Sequence, residues 1–242
     1  MALGPNDNNW AVRMTRAQAE TAEIDVGLRK YMLRVYNYMA SGVALTGIVA
    51  LLVVHSETAL QLIFGTPLRW VVFLAPLGMV FYLSARINKM SARAAQTSFW
   101  IYAALVGLSL SAIFVVYTHT SIARVFFITA GTFGAMSLYG YTTKRDLSSW
   151  GSFLFMGLIG IVIAMVVNIF LQSPAVMWAI SVIGVLIFVG LTAYDTQAIR
   201  LSYSERDHSE VADKKAIMGA LRLYLDFINL FIILLQLLGQ RN

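Results

Sequence analysis

Two carboxylates stand where carboxylates are expensive. Asp195 lies in Leu191-Thr192-Ala193-Tyr194-Asp195-Thr196-Gln197, and Asp226 in Leu223-Tyr224-Leu225-Asp226-Phe227-Ile228-Asn229. Both runs are otherwise almost free of charge, while the other ten of the 12 acidic residues fall in the polar N-terminal segment or in short connections. An ionised carboxylate inside an apolar bundle costs a few kcal/mol, so a functional role is the default reading for such a residue. If the two acids meet, they titrate as a unit and respond to pH. Arg222, four residues before Asp226, shares its helix face and is one candidate partner. Arg86 is a second, and Tyr194 and Asn229 are supporting polar neighbours. The same two acids offer a weak, transient cation site, since two aspartates supply too few oxygens for a rigid cage.

The elements that position these acids follow from composition. The 242 residues are 59% hydrophobic and 12% charged, with mean hydropathy +0.72. A soluble domain carries about 25% charged residues, so a water-soluble enzyme is excluded. Seven stretches reach the about 20 apolar residues needed to cross a bilayer: roughly 31–54, 68–87, 97–118, 122–143, 150–171, 175–197 and 216–238. Residues 1–30 are polar and hold no apolar run, so they predict a cytoplasmic tail rather than a cleaved signal. The expected fold class is an all-α integral membrane protein, a seven-transmembrane-helix bundle in one domain.

Charge sets the orientation. On one side fall Arg13, Arg16, Arg29, Lys30 and Arg34, then Arg86, Lys89 and Arg93, then Lys144 and Arg145, then Arg200, Arg206, Lys214 and Lys215; on the other fall Arg69, Arg124 and Arg241. The positive-inside rule puts the N-terminus in the cytoplasm and the C-terminus outside. The net charge of +6 is therefore loop charge, and no nucleic-acid partner is expected. Both acids then lie in the cytoplasmic half. Gly131 with Gly134, Gly157 with Gly160, and Gly107 with Ser111 are expected to allow close helix approach. Trp70, Trp100, Trp150 and Trp178 mark span ends, and Pro76 is expected to kink the second span.

Other chemistries fail on residue type. A retinal Schiff base needs a lysine deep in the last helix, and Lys30, Lys89, Lys144, Lys214 and Lys215 all lie near span ends or in loops. An intramembrane serine protease needs a buried Ser–His pair, and His55, His119 and His208 sit in or beside loops. Two acids sharing a proton is aspartic-protease logic. However, Leu223-Tyr224-Leu225 precede Asp226 where the intramembrane aspartyl proteases carry glycines, and no proline follows Pro174. With no cysteine, thiol chemistry is absent as well. No cofactor and no enzymatic activity are expected.

The two acidic segments, above all Tyr224-Leu225-Asp226-Phe227-Ile228-Asn229, resemble those of the Bax inhibitor-1 family, also called the transmembrane Bax inhibitor motif family, and its bacterial inner-membrane members in particular. That resemblance implies a seven-helix bundle with the last helix central. It also implies a pH-sensitive calcium leak, with Asp195 and Asp226 as a hydrogen-bonded dyad that latches the pore. An arginine at the inner end of the second helix interacts with the dyad in bacterial relatives, and Arg86 matches it by position. Some relatives carry an acid in the second helix; residues 68–87 contain none. The expected partners are the lipid bilayer, calcium ions and protons. Two alternatives stay open: a non-conducting regulator of a membrane-anchored ATP-dependent quality-control protease, with residues 1–30 as its handle, and a proton-coupled cation exchanger.

Overall fold

The structure, a computed structural model, describes residues 7–242, with side chains from Val26 onward. The described residues form eight helices: α1 (Asp7–Val54), α2 (Glu57–Phe64), α3 (Leu68–Arg86), α4 (Ala92–Val116), α5 (His119–Thr142), α6 (Ser148–Leu171), α7 (Pro174–Leu201) and α8 (Ser209–Leu238). Seven are long and apolar enough to cross a membrane, α1 through its Val26–Val54 portion. The eighth, α2, has eight residues and spans only about 12 Å.

Local chemistry explains where these helices begin. Ser56, Ser91, Thr118 and Ser173 each accept a backbone N–H in the first turn of the helix that follows, satisfying a donor that has no partner within the helix. Pro174 opens α7 at a position where its missing N–H costs nothing. In the α5–α6 connection, hydrogen bonds from the Ser148 hydroxyl and backbone N–H hold the exposed Asp146 carboxyl below the usual carboxylate range. That contribution is complete above the ordinary carboxylate range and disappears as pH falls through the lowered value. The expected polar tail differs from the observed element: from Asp7 onward it is helical and continuous with the first span. Residues 1–6, and the side chains before Val26, lie outside the described residues, so the tail's proposed handle role does too.

Packing is organised around α8, as the family resemblance implies. It contacts α1, α4, α5 and α7, whereas α6 packs on α7 and α3 packs on α2 and α4. Of the apolar window of α8, 61% is buried, against 11% for α3. One is the axis of the bundle; the other faces lipid, with Trp70, Val71, Leu74, Leu77 and Phe81 exposed. Exposed hydrocarbon on that scale is an interaction surface, and here the partner is the acyl-chain region. Pro76 sits inside α3. The C-terminus is tied down: Thr118 N–H donates to the Gln240 carbonyl, Asn242 N–H to Val116, and Gln240 N–H to the Ser121 hydroxyl.

The glycines correct one expectation. A methyl group at Gly131, Gly134 or Gly160 would meet nothing within 4 Å, so these are not close-approach points, whereas one at Gly107 would press on the Thr46 carbonyl at 2.7 Å. The tightest crossing lies elsewhere, where Gly140 of α5 abuts the Ala193 carbonyl of α7. Small-residue spacing shows where a helix can be approached, and only the placement of its neighbour decides whether it is.

Candidate functional site

Asp195 and Asp226 meet. Both line an open cavity of about 550 Å³ between α6, α7 and α8, with Tyr194, Arg222, Asn229 and Ser152 as its other polar neighbours. The two carboxyl groups face the same cavity, close enough to interact electrostatically. Asp226 is buried, at 5% exposure, and its Oδ2 has no hydrogen-bond partner among the described residues. Asp195 is half-buried, and its Oδ1 lies 3.9 Å from Arg222 Nη1. The site thus holds two acids and one cation, with the cation against the shallower acid.

The two helices that carry the acids are fixed on their other faces. Thr196, next to Asp195, shares a hydrogen bond with the Ser137 hydroxyl at 3.0 Å, and Ser137 with the Tyr36 hydroxyl at 2.7 Å. Gln197 clamps the α5–α6 connection from both sides, accepting from Leu147 N–H at 2.8 Å and donating to the Arg145 carbonyl at 2.7 Å. Arg200 caps the end of α5 by donating to the Tyr141 carbonyl. Two residues before Asp226, the buried Tyr224 hydroxyl bonds the Thr46 hydroxyl at 2.6 Å, which also donates to the Ala103 carbonyl at 2.9 Å. Buried polar groups satisfied in this way hold one geometry. The C-terminal end of α7 is therefore anchored to α1, α5 and α6, and α8 is anchored to α1 and α4.

Of the two candidate arginines, Arg222 is the one at the acids. Arg86 is exposed at the end of α3, does not line the cavity, and sits on a helix packed against α2 and α4. It stands at the last residue of α3, and a place near a helix end does not fix position around a bundle. Gln197, Thr196 and Tyr224 were not singled out from sequence as anchors. Their partners lie 50 or more residues away, so the residues themselves were visible and their bonds were not.

Among the described residues no cluster of three or more His, Cys, Asp or Glu side chains forms a metal cage. A second cavity, of about 330 Å³, lies between α1, α4, α5 and α8 and is almost wholly hydrocarbon-lined, with His119 as its one ionisable group. Among the described residues an arginine, two carboxyls and an amide converge in the first cavity.

Seven membrane-length helices, one of them axial, define a multispan helical membrane protein. Within that class the chain belongs to the Bax inhibitor-1 family: residues 28–242 match the family described as inhibitor of apoptosis-promoting Bax1. It is similar to the inner membrane protein YbhL of Escherichia coli (strain K12), with 51% identity over 219 residues, 89% of this chain and 94% of the relative. A protein of Rickettsia prowazekii is 50% identical over 218 residues, 90% and 92% of the two chains. A membrane protein of Streptococcus pyogenes serotype M3 is 39% identical over 221 residues, 90% and 96% of the two chains.

Proposed function

We propose that this protein is a passive cation leak of the cytoplasmic membrane, conducting calcium and gated by protonation of Asp195 and Asp226. The observation that carries the reading is the unpartnered, buried Oδ2 of Asp226 beside a second carboxyl. A carboxylate oxygen stripped of water and of donors is costly. One proton held between the two acids supplies the missing donor and leaves a single negative charge facing Arg222. In that state a charge-assisted hydrogen bond joins α7 to α8 and the gate is shut. A second proton neutralises the pair and takes the counter-ion from Arg222, so the hold weakens and flux rises as pH falls. Facing the pair from the packed elements are Tyr194 on α7, Ser152 on α6, and Arg222 and Asn229 on α8, of which Arg222 is the only charged one.

The cation travels partly hydrated, because two carboxylates supply too few oxygens to strip calcium of its water. With the basic loops inside, the pair reads cytoplasmic pH. The test is calcium flux into liposomes of the purified protein over a range of pH. Wild-type flux is expected to rise toward acid by up to about tenfold per pH unit, the limit for one controlling proton. Asp195→Asn combined with Asp226→Asn is expected to hold flux near the acidic wild-type level at every pH. A double variant that still follows the wild-type profile overturns the proposal.

A further inference from the structure

The axial helix is not buried all round. Between Gly219 and Leu235 every residue of α8 is buried except Arg222, Leu225, Asn229 and Ile232, and Gln236 continues the series. The spacing alternates three and four residues, which lines up these side chains as one stripe along one face. Three members are polar, and they recur every seven residues: Arg222, Asn229 and Gln236. The stripe begins at the acid cavity, of which Arg222, Leu225 and Asn229 are lining residues. From Arg222 to Gln236 it runs about 21 Å, some two thirds of the about 30 Å hydrocarbon core.

Lipid does not suit this face. The exposed positions of α3 that meet lipid are hydrocarbon or aromatic: Trp70, Val71, Phe73, Leu74, Leu77 and Phe81. Asn229 is half-buried and lines the acid cavity, and Gln236 is exposed. An amide carries two donors and an acceptor, and leaving them unmet in hydrocarbon is costly. Water meets them. We infer that this stripe of α8 lines a water-filled route from the acid pair to the outer face, along which the amide oxygens of Asn229 and Gln236 replace water around a passing cation. This route rests on the leak reading above, and gives the cation its way out past the gate.

The chain has no cysteine, so single cysteines can be introduced without background. Leu225→Cys, Asn229→Cys, Ile232→Cys and Gln236→Cys are set against Leu223→Cys, Leu230→Cys and Leu234→Cys in liposomes, with a charged, water-soluble thiosulfonate as the probe. The reagent needs a thiolate, which forms in water and not among acyl chains. The stripe positions are expected to react at least about tenfold faster than the buried ones, the factor by which one pH unit of thiol acidity changes the thiolate population. Asn229→Cys and Ile232→Cys are decisive because they lie far from both ends of α8. If both react no faster than Leu230→Cys, the route is wrong; should Asn229→Cys fail to fold, Ile232→Cys decides alone. Labelling along the stripe combined with a flux profile indifferent to the two aspartates keeps the route and removes the gate. A gate that responds to the aspartates with no labelling along the stripe does the reverse.

Discussion

Arg222→Met is expected to move the flux–pH curve toward alkaline pH by about 0.7 unit, raising the leak about fivefold at a fixed neutral pH. Arg222 is the cation at the acid pair, with Nη1 3.9 Å from Asp195 Oδ1. Two unit charges at that distance attract by about 4 kcal/mol at an effective dielectric constant of 20. The Arg222 side chain is 57% exposed, and solvent screening reduces the useful part to about 1 kcal/mol. One pH unit corresponds to about 1.4 kcal/mol. The sign follows from charge: without its counter-ion the ionised form of the pair loses support, so the neutral, open form takes over at a higher pH. Flux in liposomes checks this, and methionine preserves most of the apolar stem of the arginine. Arg86→Met serves as the control, with a profile expected to match wild type because Arg86 lies outside the cavity.

Gly140→Ala is expected to destabilise the fold by about 3 kcal/mol, the upper end of what overpacking typically costs. The added methyl meets the backbone carbonyl of Ala193. A carbonyl in a helix has no rotamer by which to withdraw, so α5 and α7 must separate. Thermal unfolding in detergent reads the loss, and Gly131→Ala, which meets nothing within 4 Å, is expected to stay within about 0.5 kcal/mol of wild type, as substitutions away from special features do. Ala193 is two residues from Asp195. The same separation therefore loosens the Ser137–Thr196 bond at 3.0 Å and with it the placement of the acid.

The seven spans were legible because hydrocarbon length is a coarse constraint that composition alone can meet. The short helix Glu57–Phe64 was not, since eight residues carry too little periodicity to separate from a loop. Caps moved the boundaries: Thr118 starts α5 before residue 122, and α7 continues past 197 to Leu201. Asp195 and Asp226 stood out because every other acid is outside the apolar runs, and the structure brings them into one cavity. The choice between Arg222 and Arg86 was not legible, because sequence gives depth along the bilayer normal and says nothing of azimuth around the bundle. The glycine spacings held at Gly107 and Gly157, which are closely approached, and not at Gly131, Gly134 or Gly160, because spacing names a permissive face without naming a neighbour. The bonds of Gln197 and Tyr224 depend on residues far away along the chain, and only the folded packing joins them.

The central claim is that a proton bound by Asp195 and Asp226 sets the state of the gate, and infrared difference spectroscopy of the protein in lipid, recorded from alkaline to acidic pH, tests it most directly. A protonated carboxyl has a carbonyl band distinct from that of a carboxylate. The account predicts such a band in the wild-type protein, growing toward acid with the same midpoint as the calcium flux and absent when both aspartates are replaced by asparagine. A band unaffected by that double substitution, or one whose midpoint does not coincide with that of the flux, would contradict it.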